Sequence, residues 1–297
     1  MLRRLSTALL ALVLLLAVPA TALALNINES YRPQDEFKLD PWFSVGPIEF
    51  NKAVFYVIVA TALTCVAMIY VARRMQERPN RLQTVAEGAY TLMRDNITRG
   101  NMPDAMAAKW FPFIATIFLF IWFSNIIGYL PLPTNTEHKV NIFGAEIPSF
   151  ALYAATANLS VPLVLTLLVW VSYHAEGVRT KGLVGYLKSW IPAGVEGAAR
   201  IPIFCIEVIS HFVRLVSLSV RLFANILAGH LLILFMGGGL VVLLNLSIVG
   251  SVVLGLVTGV MAVAFFLFEV VLIATLQAFI FATLTAIYLG GAVAAEH

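Results

Sequence analysis

Charge is scarce in this sequence. Asp, Glu, Lys and Arg together make up 12% of its 297 residues, about half the share of a soluble domain. With 60% of the chain hydrophobic, that scarcity excludes a soluble fold, because a domain of this size cannot hide so much apolar surface. It also excludes disorder. Cysteine is nearly absent, with two residues, which excludes a disulfide scaffold. Cys65 and Cys205 lie in apolar stretches and read as packed thiols rather than a bridge. The net charge is only +3 and the basic residues are dispersed, which excludes a nucleic-acid-binding face. There is no Gly-rich phosphate loop of the Walker type and no internal repeat of the kind many transporters carry. What the sequence has instead is long apolar runs, so it reads as a membrane protein.

The first run, Leu9 to Val18, follows Arg3-Arg4 and precedes Pro19 and Ala22-Leu23-Ala24. A basic start, a short apolar core and a small-x-small site predict a secretory signal peptide over 1–24, cut after Ala24. The alternative is an uncleaved first membrane helix, for which the run is short. Residues 25–52 then form an extracytoplasmic segment, and 53–297 form the membrane domain. Membrane spans are predicted at about Ala53 to Val71, Trp110 to Leu130 and Pro148 to Tyr173. A mixed helical stretch from Leu82 to Arg99 suits the membrane surface. A short polar loop holding Glu137, His138 and Lys139 joins spans two and three. Two long segments finish the chain, Ile201 to Met236 and Leu240 to Leu289, with a turn at Gly237-Gly238-Gly239.

Seven Lys or Arg lie between Arg73 and Lys109 and four between Arg179 and Arg200, against one, Lys139, in the loop after span two. The positive-inside rule puts the two basic segments in the cytoplasm, the mature N-terminus outside and the C-terminus inside. An upright crossing needs about 20 residues. The last two segments are much longer, so they tilt, break or extend beyond the bilayer. Long tilted helices can wrap a partner. Gly255, Gly259 and Ala262 offer a small-x-x-x-small face for close helix approach.

Ionisable residues within these runs carry the functional signal. At about 100° per residue, Glu207, His211, Arg214, Arg221 and Asn225 share one stripe about 80° wide, while His230 faces elsewhere. Charge at membrane depth is costly, so chance explains this stripe poorly. Glu207, His211 and Arg214 can also mark a cytoplasmic helix end, with Arg214 reaching toward water. Arg221 lies about 20 residues into the run, cannot shed its proton, and has no acid of its own helix close enough to neutralise it. It needs a carboxylate from another helix, with Glu269 the structural candidate, or from another chain. Glu269 and His230 can pass protons along a wetted path. Asn125 and Asn158 can hold water, or be ordinary satisfied helix contacts.

In Ser217–His230, and again in Leu276–Leu289, the sequence resembles subunit a of F-type ATP synthases. Weaker likenesses are Ser124–Pro131 and Thr156–Ser160, and the resemblance covers roughly Phe50 to the end. With the spans above, it implies an all-α polytopic membrane protein of about five helices, the last two tilted against a rotor ring; the predicted cleaved leader lies outside the likeness. It implies a proton-conducting stator that is not catalytic alone and needs no cofactor or metal. Its implied partners are the ring of c subunits, the b-subunit peripheral stalk, the remaining ATP synthase subunits and the lipid of a bacterial plasma membrane. Two offset half-channels deliver protons to and from a ring carboxylate. The essential arginine falls on Arg221. The outer half-channel falls on Asn225, His230, Gln277 and Asn125, with Ser217 nearby, and the inner acid on Glu207. A Glu/His pair shared by the two long helices falls on His230 and Glu269. Glu269 stands eight residues before Gln277 where the family has seven, so a local bulge is needed to turn it. The family's acid in span three is Asn158 here, which removes a charge from that helix.

Two readings from other classes compete. An independent channel or secondary transporter would use Arg221 for an anion or for Glu269. An intramembrane enzyme would need a nucleophile–base set, and Glu207, Ser210 and His211 form no recognised one.

Overall fold

The computed structural model describes residues 37, 39–46, 48–74, 76, 80–142, 145–192, 194–195, 197–236 and 248–294. The expected leader over 1–24 and the turn at Gly237-Gly238-Gly239 lie outside the described residues.

The chain is helical, with two small antiparallel hairpins. Strands β1 (Pro41–Val45) and β2 (Ile48–Asn51) pair with Val45 opposite Ile48 and Phe43 opposite Phe50. The turn between them uses Gly46 at φ 63°, a left-handed position that suits glycine. Helix α1 (Lys52–Arg74) follows at once, its first turn capped by the Asn51 side chain, which accepts the Val54 N–H at 3.2 Å. Helix α2 (Arg81–Thr91) is capped by Asn80, which accepts from the Gln83 N–H at 2.8 Å, and runs into a π-helical stretch over Leu92–Arg99. Helix α3 (Asp104–Gly128) opens with an acid in its first turn, where the helix dipole favours negative charge.

The segment after α3 differs from expectation. Instead of a short polar loop, strands β3 (Leu132–Ile142) and β4 (Ala145–Ala151) form a hairpin. The third span therefore starts later than Pro148: a 3-10 turn at Ala155–Ala157 precedes helix α4 (Ser160–Lys188). Helix α4 breaks at Gly182, whose φ of 72° lies outside the helical region. Helix α5 (Arg200–Leu234) carries the ionisable stripe. Helix α6 (Ile248–Phe268), a π-helical turn (Glu269–Ile273) and helix α7 (Ala274–Val293) complete the described chain.

Among the described residues, five helical segments are long and apolar enough to cross a membrane. They are Lys52–Arg73, Asp104–Gly128, Ser160–Lys188, Gly197–Leu234 and Val253–Val293. The last two have 38 and 41 residues, about 57 Å and about 62 Å of helix, roughly twice the hydrocarbon thickness. The outer surfaces of these segments are apolar: Ile201 and Leu256, in the last two, are 72% and 68% exposed, and Val66, in the first, is 61% exposed. Only lipid or partner helices can cover so much. The fold is that of an all-α polytopic membrane protein.

The chain divides into two compact units. One holds the described residues up to Tyr56 with Asn125–Ala157 and Ala224–Thr275; the other holds Val57–Ser124, Asn158–Phe223 and the described residues from Leu276. The first is centred on Tyr129, Ile233 and Ala274, packed by Ile126, Leu152, Phe265, Phe266 and Val270. The small-residue face foreseen in α6 makes no close approach at Gly259, where an added Cβ would meet open space. Close backbone approach occurs instead at Gly128, against Ala154, and at Gly290, against Asn101. Cys65 and Cys205 are unbridged and exposed rather than packed.

Candidate functional site

In the first unit, polar groups converge where the end of α3, the far half of α5 and the π turn meet. Glu269, at the start of that turn, is buried. A π turn takes up one extra residue, so it supplies the bulge that the eight-residue spacing to Gln277 requires. Tyr129 donates its hydroxyl hydrogen to Glu269 Oε2 at 2.9 Å. A Cβ at Gly229 would overlap the Glu269 carboxylate, so glycine makes room for the acid there.

His230 is fully buried. Its Nδ1 lies 3.0 Å from the Ile226 carbonyl oxygen and its Nε2 lies 3.1 Å from that of Gly128. Both nitrogens thus face backbone acceptors, and a neutral imidazole has one N–H to share between them. The expected direct His230–Glu269 pair is absent among the described residues. The Tyr129 ring packs on the His230 ring with centroids 4.5 Å apart, and its hydroxyl takes the place the histidine was expected to fill. Asn125 is buried and structural in its contacts. Its Oδ1 accepts from Thr156 Oγ1 at 2.7 Å, and its Nδ2 donates to the Ala274 carbonyl at 3.4 Å. Asn158 accepts the Ser160 N–H at 3.0 Å, a local turn contact.

In the second unit, the predicted stripe of α5 closes on itself. Arg214 Nη2 donates to Glu207 Oε1 at 3.0 Å, and His211 Nε2 lies 3.7 Å from the same oxygen. Arg214 also lies over the Tyr288 ring of α7, 5.6 Å from its centroid. Helix α4 supplies partners that sequence reasoning missed. Tyr173 Oη lies 3.0 Å from His211 Nδ1, and Trp170 donates to the His211 carbonyl at 3.2 Å. The His174 ring lies 4.8 Å from that of His211, and its Nδ1 lies 2.7 Å from Tyr186 Oη. Trp190 packs against both histidines. Two residues after His174, buried Glu176 forms an ion pair with Lys109 of α3. His174 Nε2 and Glu176 Oε2 are buried without hydrogen-bond partners among the described residues. The predicted third span stopped at Tyr173, just short of His174 and Glu176, whereas helix α4 continues to Lys188.

Arg221 stands apart. It is exposed on α5, as are Ser217 and Asn225, among apolar residues such as Val216 and Val220. Its one polar contact among the described residues is a 3.4 Å donation from Nη2 to Ser217 Oγ. No carboxylate among the described residues pairs with it. Gln277 is buried on α7.

Comparison with known proteins identifies the family. The profile of the ATP synthase A chain family matches residues 54–290. The ATP synthase subunit a of Rubrobacter xylanophilus is 34% identical over 252 residues, 84% of this chain and 86% of its own. That of a Nocardioides species is 36% identical over 250 residues, 83% of each chain. That of Bradyrhizobium diazoefficiens is 34% identical over 274 residues, 89% of this chain and 98% of its own. The matched region reaches into all five membrane-capable helices described above and covers Arg221 and both polar clusters, and the chain belongs to the ATP synthase A chain family, the multi-pass subunit a of the membrane Fo sector.

Proposed function

We propose that this chain is the proton-conducting stator of a rotary ATP synthase in a bacterial plasma membrane, its mature N-terminus outside and its C-terminus in the cytoplasm. The observation that carries the reading is Arg221. A permanent cation on an apolar, membrane-capable helix, exposed and without an acid partner among the described residues, calls for a carboxylate from elsewhere. A rotor ring of c subunits carrying one carboxylate each would supply it. The long α5 and the α6–α7 segment would accommodate their length by tilting along that ring.

Within this reading, Asn125, Asn225, His230, Glu269 and Gln277, with Ser217, serve the outer half-channel, and Glu207 serves the inner one. An ionised ring carboxylate is stabilised as it passes Arg221, and a protonated one can face lipid. The fixed charge also keeps protons from crossing directly between the half-channels. Each proton crossing releases about 2.3 kcal/mol per 100 mV, too little for one ATP, so several steps accumulate as rotation. The chemistry of ATP belongs to other subunits, and the b-subunit stalk holds this one against the ring.

The test is Arg221→Ala in membranes with assembled complex. ATP-driven proton pumping is expected to be lost, while passive proton leak after removal of the catalytic head is retained or increased. Normal coupled pumping would sink the proposal and leave Arg221 a structural residue.

A further inference from the structure

Glu269 sits in a fitted nest. The π turn presents it, Gly229 leaves space for its carboxylate, and Tyr129 Oη is its one hydrogen-bond partner among the described residues, at 2.9 Å. Tyr129 is itself almost fully buried, at 1% exposure. Its ring is held from two sides, by His230 with centroids 4.5 Å apart and edge-on by Phe266 at 5.9 Å. Its backbone neighbour Gly128 offers its carbonyl to His230 Nε2. Histidine, glycine carbonyl and phenol ring thus form one rigid support. His230 cannot serve the acid itself, because both its ring nitrogens are directed at carbonyl oxygens. Tyr129 and, beyond its ring, His230 are the titratable groups that the packed elements bring to Glu269 among the described residues.

We propose that Tyr129 is the positioning residue for Glu269, the hydrogen-bond partner that stays with the acid while it takes up and gives off a proton. The proposal rests on the reading that Glu269 lies on the proton pathway. A phenol hydroxyl both donates and accepts. With Glu269 ionised, Tyr129 donates to the carboxylate. With Glu269 protonated, the phenol hydroxyl rotates and the acid's O–H donates to Tyr129 Oη. The phenol keeps its own proton throughout; the transferred proton enters and leaves through Glu269 alone. A buried carboxyl therefore keeps a partner in both states and avoids the penalty of an orphaned polar group. His230 acts as a wedge that fixes the tyrosine ring.

Tyr129→Phe removes only the hydroxyl and keeps the ring between His230 and Phe266. The measurement is passive proton conductance of membranes stripped of the catalytic head, taken across a pH series and normalised to assembled complex. Variants Y129F, E269Q and the double variant are compared with wild type. Y129F is expected to lower conductance about tenfold, as loss of a hydrogen bond to a charged group allows, and to displace the pH profile. E269Q is expected to lower conductance at least as far, and the double variant is expected to match E269Q alone. Wild-type conductance in Y129F beside an impaired E269Q would overturn the assignment. So would a loss in Y129F with an unmoved pH profile, or losses that multiply in the double variant. Wild-type conductance in E269Q would overturn the pathway reading beneath it.

Discussion

Glu207 and Glu269 each sit with a histidine and a tyrosine, yet the two clusters hold their acids in opposite ways. Glu207 lies in an ion pair with Arg214, with His211 close to the same oxygen. Glu269 has no cation among the described residues and is held by a phenol, while its histidine is tied to the backbone. Adding a proton to Glu207 breaks an ion pair. Adding one to Glu269 only reverses a hydrogen bond. In the Glu207 cluster, His174 Nε2 is also buried without a hydrogen-bond partner among the described residues, a costly state for a polar group. Similar side chains thus make one tight, self-satisfied nest and one open, charged cluster.

The most damaging way to break the tight nest is Gly229→Ala. The new methyl competes with the Glu269 carboxylate for one space. Overpacking of this kind costs about 1–3 kcal/mol, and most proton conductance should go with it. Thermal unfolding of the purified complex and conductance of stripped membranes check both. Gly88→Ala in α2, where the methyl meets open space, should stay within about 0.5 kcal/mol of wild type.

The charged cluster should be more forgiving. Side-chain exposure of Arg214 and Glu207 is 35% and 30%, so water screens their attraction. A double-mutant cycle with Glu207→Gln and Arg214→Gln should give a coupling of about 1 kcal/mol in thermal unfolding. A coupling near zero would show that the two acids are not held differently after all. The smallest effect is expected from Thr156→Val, which removes the 2.7 Å bond to Asn125. It should lower stability by about 1 kcal/mol and reduce conductance less than Tyr129→Phe does.

The spans and the α5 stripe were readable because they depend on local composition and on the 100° step of a helix. Glu207, His211 and Arg214 meet as the periodicity requires, since all three lie on one element. Partners brought from other elements were not readable. Tyr129 stands inside a recognisable run, but its task depends on a π turn 140 residues later. Tyr173, His174, Tyr186 and Trp190 gather around His211 through the packing of α4, which no spacing within α5 reports. The hairpin β3–β4 escaped notice because prolines at 131, 133 and 148 read as loop punctuation, whereas prolines at strand starts and edges are compatible with a two-stranded ribbon.

The π turn at Glu269–Ile273 also governs how pieces of this helix can be exchanged. A regular helix can be spliced to a relative's at any matching position, because both keep the same angular count. Across residues 269–273 the count slips by one. A chimera joined inside that turn would swing one flank by about 100° and aim Glu269 at the wrong wall, although every residue looked aligned. Joins placed before Phe268 or after Ala274 carry the slip intact, so the turn travels as one indivisible cassette.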